Sequence, residues 1–154
     1  MKLMIVIPCY NEEQVLPETA KRLTKKMQAL IEGGLCGADS RVLLVDDGSR
    51  DKTWEIIAAL HEENPLFEGV KLSRNRGHQN ALLAGLMTAR KHCDVSISMD
   101  ADLQDDMDAI DQFLDEYKKG CDVVYGVRNK RKTDTFFKRQ TALFFYRLMK
   151  GLGV

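Results

Sequence analysis

Residues 41–54, RVLLVDDGSRDKTW, contain the unit that decides the fold. The apolar run at 41–45 has the length of a buried strand, and DDGS has the composition of a tight turn. A helix is predicted from about Asp51, and Ser49 or Asp51 is expected to cap it. Four of its residues are predicted to share one face: Trp54, Ile57, Ala58 and His61. A strand that leads through a polar turn into a helix is typical of α/β proteins.

The same alternation of strand and helix continues in both directions along the chain. The first helix is predicted from a stripe that ends before Gly33 and Gly34 and consists of Leu16, Ala20, Leu23, Met27 and Leu30. Further strands are predicted at 3–8, 69–72, 94–99 and 121–126, and further helices at about 78–91, 110–117 and 135–152. This order predicts one α/β domain over residues 1–154, with a mostly parallel sheet and helices on both faces.

Composition excludes several classes of protein. The chain has 154 residues, 44% hydrophobic and 30% charged, which is ordinary for a soluble globular domain. No apolar run reaches the roughly 18 residues of a membrane-spanning helix, and the amino terminus is no secretory signal. The four cysteines and three histidines lack the spacing of a zinc site, which favours thiols in a reducing compartment.

Charge is unevenly distributed although the net charge is zero. Residues 128–150 contain eight Lys or Arg and one Asp, so the rest of the chain is acidic. Within 135–152, apolar residues at helical spacing alternate with Lys138, Arg139, Arg147 and Lys150. Such a helix either lies on an anionic membrane surface or packs on the protein with a solvated basic edge.

Polar clusters follow each predicted strand. These are PCYNEE, DDGS, SRNRGHQN, DADLQ and VRNKRK, in chain order. In open parallel sheets, ligands bind beyond the carboxyl ends of the strands. We therefore expect all five clusters to open onto one edge of the sheet.

Asp100 and Asp102 are candidates for a metal site. They stand at positions i and i+2 after a strand, so in extended backbone their carboxylates share a face. Two hard oxygen donors suit Mg²⁺ or Mn²⁺, which also leave coordination positions for phosphate oxygens. Asp106 and Asp108 are better explained by the dipole at the start of the next helix.

Other polar residues suit a nucleotide. Asp46 and Asp47 are placed to accept hydrogen bonds from a base N–H or from ribose hydroxyls, and Tyr10 offers an aromatic face for stacking. The sequence lacks the glycine-rich motifs that cradle phosphates. Basic side chains such as Arg128 and a metal ion are therefore expected to hold the phosphates.

Together these residues resemble glycosyltransferase family 2, the inverting enzymes of GT-A fold. IPCYNEE, LLVDDGSRDKTW, LSRNRGHQNALLAGL and DADLQDD match its motifs in order, over essentially the whole chain. RNRGHQNALLAG and DADLQ, followed by GCDVVYGVRNKR, most resemble the polyprenyl-phosphate sugar transferases. The resemblance implies a Rossmann-like GT-A fold that is truncated at its carboxyl end, because family members continue beyond this point.

The resemblance also implies roles for individual residues. Pro8, Tyr10 and Glu12 would line the nucleotide pocket, with Asp46 or Asp47 on the base. Asp100 and Ala101 would contact the nucleotide sugar, and Asp102 and Gln104 would ligate Mg²⁺ or Mn²⁺ with help from Asp100. Arg128 would reach the diphosphate or the acceptor phosphate, and Arg139 is a weaker candidate. Catalysis would then depend on Asp100, Asp102 and Arg128.

The implied reaction moves a sugar from a nucleotide-diphosphate sugar, UDP rather than GDP, to a polyprenyl phosphate at the cytoplasmic face of the cell membrane. Because a lipid phosphate is already anionic, no catalytic base is assigned. The alternatives are a family 2 enzyme with a polysaccharide or other hydroxyl acceptor and a fragment that only binds nucleotide. A phospho-receiver domain is disfavoured because Arg128, not Lys, follows the predicted fifth strand. No nucleic-acid partner is expected.

Overall fold

The computed structural model describes residues 1–102 and 106–126 of the chain. The chain divides into two compact units, Met1–Val124 and Tyr125–Val154, and every helix and strand named below belongs to the first. A single domain over residues 1–154 stays a prediction. The basic helix expected at 135–152 lies outside the described residues.

Strands and helices alternate along the described chain. The strands are β1 (Leu3–Cys9), β2 (Arg41–Asp46), β3 (Phe67–Lys71) and β4 (Val95–Ser98). The helices are α1 (Leu16–Glu32), α2 (Thr53–Glu63), α3 (His78–Ala89) and α4 (Ala109–Lys118). The strands form one parallel sheet in the order β3-β2-β1-β4. The predicted alternation and the parallel sheet are therefore confirmed.

Helices cover both faces of the sheet. Because side chains alternate along a strand, Ile5 of β1 faces the core shared with α1, α2 and α4, while Val6 faces α3. Gly85 allows α3 to lie close to the strands. A Cβ atom at Gly85 would come within 2.4 Å of Val6 Cγ1 and 2.8 Å of Val45 Cγ2. Burial on two sides explains why the strands are continuous apolar runs.

The first helix follows its sequence pattern closely. All five residues of the predicted stripe are buried. The helix ends in a Schellman motif, in which Gly34 N donates to Ile31 O (3.0 Å) and Leu35 N to Leu30 O (2.9 Å). Gly34 has φ +68°, a conformation that favours glycine.

The predicted fifth strand at 121–126 is wrong, because the structure gives these residues no strand pairing. DVVYGV has the apolar and β-branched composition of a strand. However, the Val123 side chain is 66% exposed, so the burial that normally makes such a composition favourable is missing here.

Candidate active site

The carboxyl ends of three strands lie side by side at one edge of the sheet. Cys9 of β1 is opposite Asp46 of β2, and Val6 of β1 is opposite Ser98 of β4. The loops after β1, β2 and β4 therefore open onto the same edge, as parallel topology requires.

The loops after β1 and β2 are tied together by hydrogen bonds in both directions. Asn11 N donates to Ser49 Oγ (3.0 Å), and Arg50 N donates back to Asn11 Oδ1 (2.9 Å). Glu12 N donates to Thr53 Oγ1 (2.8 Å). Two further bonds join Glu13 N to Asp51 Oδ2 (3.1 Å) and Lys52 N to Glu13 Oε2 (3.0 Å). We call residues 10–13 and 48–53 the interlocked loops.

Asp46 and Asp47 are both buried, but they have different partners. Asp47 accepts from Arg76 N through Oδ1 (2.7 Å) and from Gly77 N through Oδ2 (2.8 Å), so it joins β2 to the start of α3. Asp46 accepts from Ser49 N through Oδ1 (3.0 Å). Its Oδ2 atom is buried without a hydrogen-bond partner among the described residues. Asp46 is therefore the aspartate of this pair with an oxygen still to be satisfied.

Gly48 brings the loop after β3 against the interlocked loops. Its φ is +67°, and a Cβ atom there would lie 2.5 Å from Arg74 C and 2.7 Å from Asn75 N. Both neighbours are backbone atoms, which move less easily than a side chain. The glycine of DDGS is thus required by its conformation and by this close approach.

The Asp100–Ala101–Asp102 segment points its two acids and its alanine to opposite sides. Asp100 and Asp102 are exposed, whereas Ala101 is 4% exposed and packs in the core. Thr19 of α1 donates its hydroxyl to Ala101 O (2.8 Å). Met99 N, just before this segment, donates to Val6 O (3.1 Å). The segment is therefore fixed between α1 and β1 while both carboxylates face outward.

Acidic groups from three loops influence one another at this edge. Burial raises the pKa of Glu12 above its ordinary value of 4.5, and the negative charges of Asp102, Asp51 and Asp100 raise it further. Burial, with the charges of Glu12 and Asp46, also raises the pKa of the Cys9 thiol to about 12. The edge thus concentrates negative charge that a cation would stabilise.

A histidine stands beside this charge. His78, the first residue of α3, has Nε2 3.7 Å from Asp100 Oδ1, and both side chains are about half exposed. The two residues line a small cavity of about 100 Å³ with Pro8, Leu82, Ser98 and Met99. The sequence placed His78 in the polar cluster SRNRGHQN but gave it no role of its own, because a lone histidine after a glycine has no distinctive spacing.

The residues expected at the site are placed as follows. Pro8 is buried in β1, Tyr10 is 39% exposed at the edge, and Glu12 is half-buried. Gln104, Arg128 and Arg139 lie outside the described residues. Thr19 was missed, although a threonine between Leu16 and Leu23 on the apolar face of a helix is an unusual position. The roles of these residues in binding and catalysis stay predictions.

The described residues fit a divalent cation only in part. Within residues 1–102 and 106–126, no three His, Cys, Asp or Glu side chains converge closely enough to hold a metal ion. Mg²⁺ is often held by one or two carboxylates, with substrate phosphates and water completing its shell. Asp100 and Asp102 suit a site that substrate phosphates and water complete, because both are exposed beside the acidic Glu12. In the same residues, no helix is long and apolar enough to cross a membrane.

Comparison with known sequences identifies relatives of the chain. Residues 4–153 match the family model described as Glycosyl transferase family 2. The chain is 55% identical over 152 residues to the uncharacterized glycosyltransferase YkoT of Bacillus subtilis, covering 99% of the chain and 45% of YkoT. It is 35% identical over 148 residues to a bactoprenol glucosyl transferase of Shigella phage SfV, covering 96% of the chain and 46% of that relative. The chain thus spans less than half the length of these curated relatives.

Solved structures show the same fold. TarS 1-349 of S. aureus in complex with UDP-GlcNAc superposes with a TM-score of 0.57 at 23% identity, covering 90% of the chain and 38% of TarS 1-349. The mannosyltransferase PcManGT of Pyrobaculum calidifontis, in complex with GDP-Man and Mn²⁺, superposes with a TM-score of 0.53 at 23% identity. The match covers 71% of the chain and 30% of PcManGT. The sheet and helices described above are therefore those of a GT-A glycosyltransferase fold.

Proposed function

The chain belongs to glycosyl transferase family 2, and from that premise we propose that the protein transfers a sugar from a UDP-sugar to a polyprenyl phosphate at the cytoplasmic face of the cell membrane. The product would serve cell-envelope glycan or lipid modification. The acceptor class is supported by the relatives named bactoprenol glucosyl transferase, at 35% identity. Glucose is accordingly the first sugar to test.

One observation supports the proposed binding of a nucleotide-diphosphate sugar. Glu12, Asp51 and Asp102 come from the loops after β1, β2 and β4, and with Asp100 their charges act together at the edge where ligands of open α/β sheets bind. A divalent cation held by Asp100 and Asp102, with Gln104, would neutralise charge that develops on the departing diphosphate. Arg128 would add a fixed positive charge to the same phosphates.

Asp46 supports a uracil base over guanine. One of its oxygens is used by Ser49 N, and Oδ2 has no partner among the described residues. Uracil presents a single ring N–H on its pairing edge, which one carboxylate oxygen can accept, whereas guanine presents two adjacent donors. Because Asp46 is fully buried, the side chains around it must shift to admit a base.

The proposed chemistry needs no proton removal from the acceptor. An oxygen of the lipid phosphate is already anionic, so it attacks the anomeric carbon as the bond to the UDP oxygen breaks and the electron pair leaves with UDP. The new bond forms on the opposite face, which inverts the anomeric configuration. No residue is therefore assigned as a catalytic base.

Two measurements test the proposal. In the first, UDP and GDP are titrated calorimetrically with and without Mn²⁺; we expect UDP to bind more tightly and Mn²⁺ to strengthen it. Asp46→Asn keeps an oxygen for Ser49 N but replaces the acceptor Oδ2 with a donor, so UDP affinity should fall by about tenfold or more. Equal affinity for UDP and GDP in the unaltered protein would refute the base assignment.

The second measurement identifies the acceptor. The protein is incubated with UDP-glucose labelled in the sugar and with either undecaprenyl phosphate in detergent or a soluble glycan. Label that moves into the organic phase only with the lipid phosphate supports the proposal. Transfer to the glycan instead would assign the protein to the hydroxyl-acceptor enzymes, and absence of transfer with retained UDP binding would leave a nucleotide-binding fragment.

A further inference from the structure

Thr19 is a polar residue in an otherwise apolar position. It lies on the buried face of α1 among Leu16, Ala20 and Leu23, and it is 1% exposed. A buried hydroxyl is costly unless it is hydrogen-bonded, so the reason for a threonine here must lie in its partner.

The hydroxyl has two acceptors within reach, and they are not equivalent. Thr19 Oγ1 is 3.1 Å from Val15 O and 2.8 Å from Ala101 O. Val15 O already accepts from the backbone N–H groups of Glu18 and Thr19, each at 3.1 Å. A hydroxyl has one hydrogen, and the shorter contact reaches an acceptor 82 residues away in sequence. Among the described residues, Thr19 is the side chain that satisfies Ala101 O.

We infer that Thr19 is a positioning residue that sets the direction of Asp102 towards the cation and the nucleotide diphosphate, an inference that rests on the proposed function. The carbonyl of Ala101 belongs to the same planar peptide unit as the nitrogen and Cα of Asp102. Holding that oxygen therefore fixes the point from which the Asp102 side chain leaves the backbone.

The other side of the segment is fixed independently. The Ala101 methyl group packs in the core, and Met99 N is bonded to Val6 O at 3.1 Å. With these two anchors, the Thr19 bond leaves the peptide between Ala101 and Asp102 little freedom to rotate. Groups that orient metal ligands from behind commonly change metal affinity by about 10- to 100-fold when they are removed.

The test compares two threonines of the same helix. Thr19→Val removes the hydroxyl at nearly constant volume, and Thr24→Val is the matched control, because Thr24 Oγ1 donates within α1, to Ala20 O at 2.9 Å. Mn²⁺ is titrated calorimetrically against each protein at a fixed UDP concentration, and thermal unfolding is recorded without ligand. We expect Thr19→Val to weaken Mn²⁺ binding by about tenfold or more, and Thr24→Val to stay within about twofold of the unaltered protein.

A second pair covers the case in which the valine variant fails to fold. Thr19→Ser keeps the hydroxyl and should retain Mn²⁺ affinity, whereas Thr19→Ala, of similar size, should lose it. If Thr19→Val and Thr24→Val change Mn²⁺ affinity equally, or if Thr19→Ala matches Thr19→Ser, the inference is overturned while the proposed function stands. If the unaltered protein binds neither UDP nor Mn²⁺, the proposed function fails and the inference fails with it.

Discussion

Two parts of the candidate active site are held in place in different ways. The interlocked loops after β1 and β2 are joined by five hydrogen bonds, and Asp47 adds two more to the start of α3. The acidic segment after β4 has the Thr19 bond and the burial of Ala101. The first region is held by hydrogen bonds that run in both directions between two loops, whereas the second is anchored on its inner side by Thr19 and the core and carries two exposed carboxylates on its outer side.

The largest expected effect comes from breaking the first region at Gly48. Gly48→Ala places a Cβ atom 2.5 Å from Arg74 C in a residue with φ +67°, so we expect a loss of about 3 kcal/mol or more in the free energy of unfolding. Gly34→Ala is the control, because Gly34 has φ +68° with open space around it and should cost only about 1–2 kcal/mol. Urea denaturation measures both. Equal losses would mean that the close approach of the two loops contributes nothing.

A smaller effect is expected on the β4 side, where Lys26 of α1 contacts two acids near the start of α4. Its ammonium lies 3.2 Å from Asp108 Oδ1 and also contacts Asp111, and its side chain is 15% exposed. Lys26→Gln should lower the free energy of unfolding by about 1 kcal/mol, and the loss should shrink in high salt. Lys25→Gln, at the exposed neighbouring position, should change it by no more than about 0.3 kcal/mol.

The smallest effect concerns the repulsion between Glu12, in the interlocked loops, and the carboxylates of Asp100 and Asp102. Because the pKa of Glu12 is raised in the folded protein, the unfolded chain ionises first, so stability falls as pH rises above the ordinary value of 4.5. Glu12→Gln should therefore match the unaltered protein at lower pH and be more stable near neutrality, by no more than about 1 kcal/mol for this partly solvated group. Thermal unfolding across pH, with exposed Glu62→Gln as control, measures the difference. A Glu12→Gln protein that is less stable at neutral pH would contradict the repulsion.

The sequence predicted the fold where the pattern is local, that is, where it depends on residues close to one another along the chain. The α1 stripe, the DDGS turn and the alternation of elements follow from helical spacing, glycine conformation and apolar runs, and all appear in the structure. The strand at 121–126 failed because its composition resembles that of a strand while its burial does not. Burial depends on neighbours that are distant in sequence, so composition alone could not reveal it.

The same limit applies to the candidate site. Asp46, Asp100 and Asp102 were identified because acids after strands are conspicuous. The difference between Asp46 and Asp47 was not predictable, since it depends on the backbone of Arg76 and Gly77, 29 and 30 residues away from Asp47. The contact of Thr19 with Ala101 spans 82 residues and was equally hidden. The roles of Gln104 and Arg128 stay predictions, because both lie outside the described residues.

The thiol of Cys9 has a practical consequence. It is 1% exposed with a pKa of about 12, so almost none of it is the reactive thiolate at physiological pH. Cys121, by contrast, is exposed on the surface. A maleimide dye added to the native protein should therefore attach at Cys121 long before it reaches Cys9, which allows a fluorophore to be introduced without chemical modification beside the candidate active site.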